Sequence, residues 1–264
     1  MAEYAKLLFE VKDFVAHLTL NRPDAANAFD LDLAREFGDA VRRSVEDPAV
    51  RAILITGAGR MFCAGGDLKA FAAQPQGELP AFLEQLTGFL HRGLLALARC
   101  SAPVIAAVQG SAAGAGMSLA CACDFVIATE SAKFTMAYTR AGLTPDGSAT
   151  WYLPRIVGMR KTLELAIRNP LLTAAQALSL GLVSEVVPDA ELAGRAGALA
   201  AELAAGPTQA FGGVKRLLLE SANATLEDQL NRETSWIAEM AQTRDAREGI
   251  AAFVAKRAPK FTGE

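Results

Sequence analysis

The sequence predicts an α/β fold built on a largely parallel sheet and closed by a helical tail. Three observations lead there. Short strand-like runs alternate with longer helical patterns from Phe14 to Val187, two of those runs lead straight into glycine-rich loops, and no convincing strand remains beyond about Asp189. Strands separated by helix-length segments pair in parallel through crossover connections.

Taken in order, Phe14, Ala16, Leu18 and Leu20 alternate before Asn21-Arg22-Pro23, the mark of a strand closed by a turn. Asp30 is placed to cap a helix whose Ala34, Phe37, Val41 and Val45 share one face, and Asp47-Pro48 stops it. Ala52 to Thr56 is an apolar strand that runs into a glycine-containing loop. A helix over Ala81 to Ala98 follows, carrying Phe82, Leu86, Leu90, Leu94 and Leu97 on one side. Next come a strand at Val104 to Val108, a short helix from about Gly114, and a strand at Phe125 to Ala128. Thr173 to Gly181 is a further capped helix, with Leu182 to Val187 a strand after it. The rest is helical, with breaks near Gly206-Pro207 and near Asn223.

A chain of 264 residues with 52% hydrophobic content buries a large core as one long domain, or as one domain with an appendage. Its net charge of -3 argues against a nucleic-acid partner, which needs a positive excess to bind phosphates. Cys63, Cys100, Cys121 and Cys123 have neither metal-site spacing nor the density of a disulfide scaffold, so reduced thiols, no metal and a cytoplasmic location are expected. The first residues lack the basic start and continuous apolar segment of a signal peptide. From Cys100 to Cys123 the chain carries no charge, which raises the question of a membrane span. Pro103, Gln109, Gly110 and Ser111 break that stretch into strand, turn and helix, and no membrane partner is expected.

The two glycine-rich loops carry the chemistry. One is Gly57-Ala-Gly-Arg-Met-Phe-Cys-Ala-Gly-Gly-Asp67-Leu68, the other Val108-Gln-Gly-Ser-Ala-Ala-Gly-Ala-Gly-Met117. Loops of small residues after strands expose backbone N–H groups. Two such groups aimed at one point stabilise an oxyanion, since they are oriented before the charge develops; losing one costs roughly 3 to 4 kcal/mol of barrier. A dinucleotide site is the competing reading of Gly114-Ala-Gly116, and it fails because Leu119 stands where a third glycine belongs.

Asn21 to Asp30, Phe62 to Leu68, Val108 to Asp124, Ser131 to Phe134 and Leu143 to Gly158 together resemble, in order and spacing, the crotonase (enoyl-CoA hydratase/isomerase) superfamily. The resemblance implies an α/β crotonase (ClpP-like) fold. Residues 1–200 would form a spiral of stacked strand-strand-helix turns holding the active site, and residues 201–264 a helical region for trimerisation and CoA contact. It implies acyl-CoA thioester substrates, no separate cofactor, and a homotrimer or dimer of trimers. The family's two oxyanion donors fall on the N–H groups of Gly66 and Ala115. A helix N-terminus at Ala115 would add the positive end of its dipole.

Hydratases of this family use two glutamates, and the aligned positions here are Ser118 and Tyr138. Neither supplies a carboxylate. The carboxylate that does occur is Asp146, between Pro145 and Gly147, at a position where several branches carry the catalytic acid. An isomerase needs a single base, which removes a proton beside the thioester and returns it two carbons along. An aspartate of ordinary pKa about 3.9 gains base strength when buried against apolar groups. Taken alone, an aspartate between proline and glycine is simply a turn residue.

Ser131 to Arg155 resembles the ring-epoxyphenylacetyl-CoA isomerase branch. His91 falls where the 4-chlorobenzoyl-CoA dehalogenase branch has a functional histidine; there Asp146 would be a nucleophile and Tyr138, a tryptophan in that branch, would flank the ring. On its helix a lone histidine is more often a packing or surface residue. By the same resemblance Ala25, Ala26, Ala64, Asp67 and Leu68 line the CoA path, and Phe253 and Lys256 touch the CoA moiety. A member that binds acyl-CoA without turning it over is a further alternative.

Overall fold

The computed structural model describes residues 4–264. The chain begins with a hairpin, β1 (Leu7–Lys12) and β2 (Val15–Leu20), paired antiparallel from Leu7↔Leu20 to Lys12↔Val15. Asp13 and Phe14 form its two-residue turn, both with positive φ (50° and 64°), the turn geometry whose twist suits a hairpin. Phe14, expected to begin the strand, is therefore an exposed turn residue, and the apolar run before it is a strand in its own right.

Asp30 caps α1 (Leu31–Glu46), its carboxylate accepting the Leu33 N–H at 2.9 Å. Phe37, Val41 and Ser44 lie on the buried face, whereas Val45, expected there, is 40% exposed. The stripe follows the 3.6-residue period, and Ser44 takes its last place. Next come β3 (Ala52–Gly57), a short α2 (Leu68–Ala72), and the long α3 (Leu79–Arg99). Buried β4 (Val104–Val108) leads through β5 (Ser111–Ala113) into α4 (Ala115–Ala122), then β6 (Phe125–Thr129) and β7 (Lys133–Thr135). Helices α5 (Ala149–Val157) and α6 (Met159–Arg168) precede β8 (Leu172–Thr173), α7 (Ala174–Ser179) and β9 (Glu185–Val187). The tail is α8 (Leu192–Ala204), α9 (Thr208–Ser221), α10 (Leu226–Met240) and α11 (Arg244–Val254).

The main sheet has the order β1-β2-β3-β4-β6-β9 and is parallel except for β1. A second sheet, β5-β7-β8, was hidden in the sequence because strands of two or three residues are too short to show a period. The strand expected from Leu182 pairs only from Glu185; Leu182 and Val183 are buried in the loop that approaches it. Alternate strand residues face opposite layers. Ile53 and Ile55 join the core under α1 and α3, while Ala52, Leu54, Ile105 and Ile127 pack with Leu192, Ala196 and Ala200 of α8.

The helical tail is pinned by polar contacts. Lys215 of α9 places its ammonium 2.7 Å from Asp124 and donates to the carbonyls of Leu97 and Ala102, each at 3.0 Å. Arg51 donates to Gly206 and Phe261, and Asp245 accepts the N–H groups of Thr262 and Gly263. Among the described residues no helix is long and apolar enough to cross a membrane.

Two glycines test this packing with opposite signs. Gly110 has φ +62°, and a Cβ there would sit 2.1 Å from the Arg60 carbonyl oxygen, whereas a Cβ on Gly88 inside α3 meets nothing within 4 Å. Gly110→Ala is expected to destabilise by about 2–4 kcal/mol through strain and collision, and Gly88→Ala to stabilise by about 0.5–1 kcal/mol through helix propensity. Urea unfolding midpoints read both.

Candidate active site

The first loop is built from the segment after β2. Asn27, wholly buried with φ 53°, donates to the carbonyls of Ala58 (2.9 Å) and Met61 (2.7 Å) and accepts the Arg22 N–H (2.8 Å). Its amide thus staples the Arg22 to Phe29 turn onto the loop after β3. The Arg22 guanidinium stands between Asp30 (3.1 Å) and Asp67 (2.9 Å). Asp67 also caps α2 by accepting the N–H groups of Lys69 and Ala70. Asp67 therefore braces the loop, and it does not line the cavity described below.

The second loop lies against the first in parallel. Phe62 N–H donates to Gln109 (2.9 Å), Cys63 N–H to Ser111 (3.1 Å), and Ala113 N–H back to Cys63 (2.9 Å). Bare backbone makes this approach possible. A Cβ on Gly116 would fall 2.3 Å from the Cys63 carbonyl oxygen, and one on Gly65 would fall 2.9 Å from that of Ala113 and 3.4 Å from the Ala115 nitrogen. Phe29 N–H donates to Gly65 and Asp67 N–H to Phe29, but among the described residues the Gly66 N–H has no protein acceptor. Ala115 is the first residue of α4, where N–H groups have no partner within the helix.

Gly66 and Ala115 line one cavity of about 270 Å³. Its walls are mainly apolar: Ala64, Leu68 and Phe71 beside the first loop, Leu83, Leu86 and Leu90 from α3, and Leu143 opposite. Of the α3 residues, Leu86 and Leu90 belong to the stripe legible in the sequence, and Leu83 does not. Phe29, Phe71, Thr87, Ala137, Ala141 and Thr144 also line the cavity and were not foreseen. Phe71 belongs to the five-residue α2, too short for a pattern, and Ala137 takes a left-handed conformation (φ 55°) that alanine does not announce.

Asp146 is the one carboxylate among the described residues lining this cavity, its side chain 27% exposed. Its turn is held from several sides. The Asp146 carbonyl accepts from the Tyr138 hydroxyl (3.3 Å) and from Ala149 N–H (3.2 Å). Gly147, with φ +60°, lies so close to α4 that an added Cβ would be 3.0 Å from Ser118 Cβ. Ser118 Oγ and Tyr138 Oη are 2.9 Å apart, and the Gly114 carbonyl, 3.2 Å from Ser118 Oγ, is the alternative acceptor of the single Ser118 proton. The two positions that could have held glutamates thus form an uncharged link between the start of α4 and the Asp146 turn. Burial first, and then the Asp146 charge and hydrogen bonding to it, raises the Tyr138 phenol well above its usual range.

His91, on α3, has Nε2 3.7 Å from Asp146 Oδ2 and accepts the Gly147 N–H at 3.2 Å. Its ring lines a neighbouring groove with Trp151 and Tyr152, not the cavity that holds Asp146. Ala25 and Ala26 form the turn beside the first loop, where the Ala26 carbonyl accepts Ala64 N–H at 3.0 Å. Phe253 and Lys256, at the end of α11, are exposed and do not line the cavity.

The family model for enoyl-CoA hydratase/isomerase matches residues 10–264. The chain belongs to this family, the crotonase superfamily. It is 40% identical over 258 residues to 1,2-epoxyphenylacetyl-CoA isomerase of Escherichia coli, covering 98% of each chain. It is also 40% identical over 260 residues to a Rhodobacter capsulatus protein named "Probable enoyl-CoA hydratase", covering 98% of this chain and 99% of the other. A crystal structure from Mycobacterium abscessus, described as a "putative Enoyl-CoA hydratase/isomerase", superposes with a TM-score of 0.93 at 35% identity, covering 98% of this chain and 100% of that one. The two sheets and C-terminal helices are thus the crotonase fold, and the family implies an acyl-CoA substrate.

All three tyrosines lie above their ordinary value of 10: Tyr4 and Tyr138 by burial first, and Tyr152, pushed to about 12 by burial and then by Asp124 and Cys123. Between pH 10 and 12 the native chain keeps phenolic protons that the unfolded chain releases, so stability is expected to fall as pH rises through that window. Tyrosinate absorbance of the folded protein should develop only above pH 10; phenols ionising at their ordinary value without loss of structure would contradict this.

Proposed function

We propose that this chain isomerises a double bond in an acyl-CoA thioester through an enolate. The Gly66 and Ala115 N–H groups receive the thioester oxygen, and Asp146 is the acid/base. The observation that carries the reading is that one carboxylate, Asp146, shares a cavity with both backbone donors, while an uncharged Ser118–Tyr138 pair stands where hydration by two glutamates would need acids. The reaction needs one base. Asp146 takes a proton from the carbon beside the thioester, electron density moves onto the carbonyl oxygen, and the proton returns two carbons along as the carbonyl re-forms. Charge on that oxygen develops where two donors are already fixed, and this lowers the barrier most. Apolar walls from α3 and Leu143 support an apolar acyl group whose charged intermediate is kept from bulk water.

Hydration is the second reading, supported by the Rhodobacter relative's name. A panel of 3-enoyl, 2-enoyl, aryl-acetyl and halogenated aryl CoA esters, followed by mass spectrometry and by the absorbance of the conjugated thioester, separates the readings: unchanged mass with a change in conjugation for isomerisation, added water for hydration, halide replaced by hydroxyl for dehalogenation. Asp146→Asn is expected to lower turnover by roughly 10²–10⁴-fold, the usual worth of a positioned general base, while CoA-ester binding persists. Unaltered turnover in that variant would sink the proposal.

The exposed Val214, Leu218, Leu230, Ile237, Ile250 and Phe253 on α9 to α11 support packing of the tail against other copies, as a trimer or a dimer of trimers. Light scattering coupled to size exclusion is expected to give three or six times the 27.8 kDa chain mass, and a monomer would refute it.

A further inference from the structure

His91 stands behind Asp146, on the side away from the substrate cavity. Helix α3 fixes it between Leu90 and Leu94, both buried, so its backbone belongs to the core while its ring is 45% exposed in the groove beside Trp151 and Tyr152. The ring makes one hydrogen bond with the Asp146 turn: Nε2 accepts the Gly147 N–H at 3.2 Å. A nitrogen that accepts an N–H carries no proton, so the neutral ring must hold its hydrogen on Nδ1. Nε2 is also 3.7 Å from Asp146 Oδ2, too long for a hydrogen bond to the carboxylate itself.

We propose that His91 is a positioning residue for Asp146, its unprotonated Nε2 anchoring the Gly147 N–H so that the carboxylate is held against the reacting carbon. The claim rests on the isomerase reading given above. Three features make this anchor matter. Gly147 and Ser148 both have left-handed φ (60° and 69°), a conformation that costs energy at serine and needs support from its surroundings. The carbonyl side of the Asp146 peptide is already held by Tyr138 and Ala149, which leaves the Gly147 N–H as the free handle of the turn. With the His91 ring neutral, Asp146 has no cationic partner among the described residues, and apart from the Tyr138 hydroxyl beside it the aim of the carboxylate depends on the backbone that carries it. Tyr138, in the turn Tyr138–Ala141, and His91, from α3, thus grip the two ends of the one Asp146–Gly147 peptide group from different elements.

The test compares His91→Leu, which removes the acceptor, with His91→Gln, whose amide oxygen can reach the same N–H. His91→Leu is expected to lower kcat by roughly 10- to 100-fold with KM changed less than about threefold, the pattern of a base moved by a fraction of an ångström. His91→Gln should recover most of that loss, and urea midpoints of both variants should stay at the level of the unsubstituted protein, because the ring is half exposed. Nitrogen-15 spectra of the ligand-free protein should show the Nδ1–H tautomer, and the Gly147 amide resonance should shift in His91→Leu and return in His91→Gln. Undiminished kcat in His91→Leu, an equal loss in His91→Gln, or an Nε2–H tautomer would each overturn the proposal. If the unsubstituted enzyme isomerises no ester, the isomerase reading fails alone, and the tautomer and amide shift still decide whether the imidazole holds the turn.

Discussion

Everything at the site depends on two backbone segments touching without side chains between them. The segment after β3 and the segment after β4 continue the parallel pairing of their strands past the sheet, through the bonds of Phe62, Cys63 and Ala113. Gly65, Gly110 and Gly116 occupy the places where a methyl group would strike a carbonyl oxygen of the opposing segment. This contact brings Gly66 and the first turn of α4 to the wall of one cavity. Separating the segments by the width of a methyl group would leave the same residues in two unrelated loops.

The second organising element is the bracket around Asp146. A carboxylate in a cavity is useful only if its direction is fixed, and here the direction comes from backbone rather than from a charged partner. Ser118 ties α4 to Tyr138, Tyr138 holds the Asp146 carbonyl, and His91 holds the following N–H. With a serine and a tyrosine at these two positions, Asp146 is the one carboxylate among the described residues lining the cavity, and the two hydroxyl groups brace its turn. The cost of burying those hydroxyls is offset because each finds a partner.

The balance of the core follows from the same sheet. Fully buried β4 demands cover on both faces, supplied by α1 and α3 on one and by α8 on the other. The charges that remain inside sit at seams between these layers. Lys215 with Asp124 fastens α9 to the ends of α3 and β4, and Arg51 fastens the final residues to the start of β3. These contacts make the tail part of the α/β body.

The sequence by itself determined the alternation of strands and helices, the caps at Asp30 and Thr173, the two glycine-rich loops and the isolated Asp146, because each is written in local period, turn chemistry or side-chain type. β1, which pairs with the foreseen β2, escaped notice, as did the small second sheet and the short α2 that carries Phe71, the last two because elements of so few residues have no period to read. Only the tertiary structure decided that Ser118 and Tyr138 bond to each other, that Asp67 faces Arg22, and that His91 grips Gly147 across 56 residues of chain. Those contacts join distant segments, and their distances are set by how the helices pack on the sheet, which no local pattern encodes.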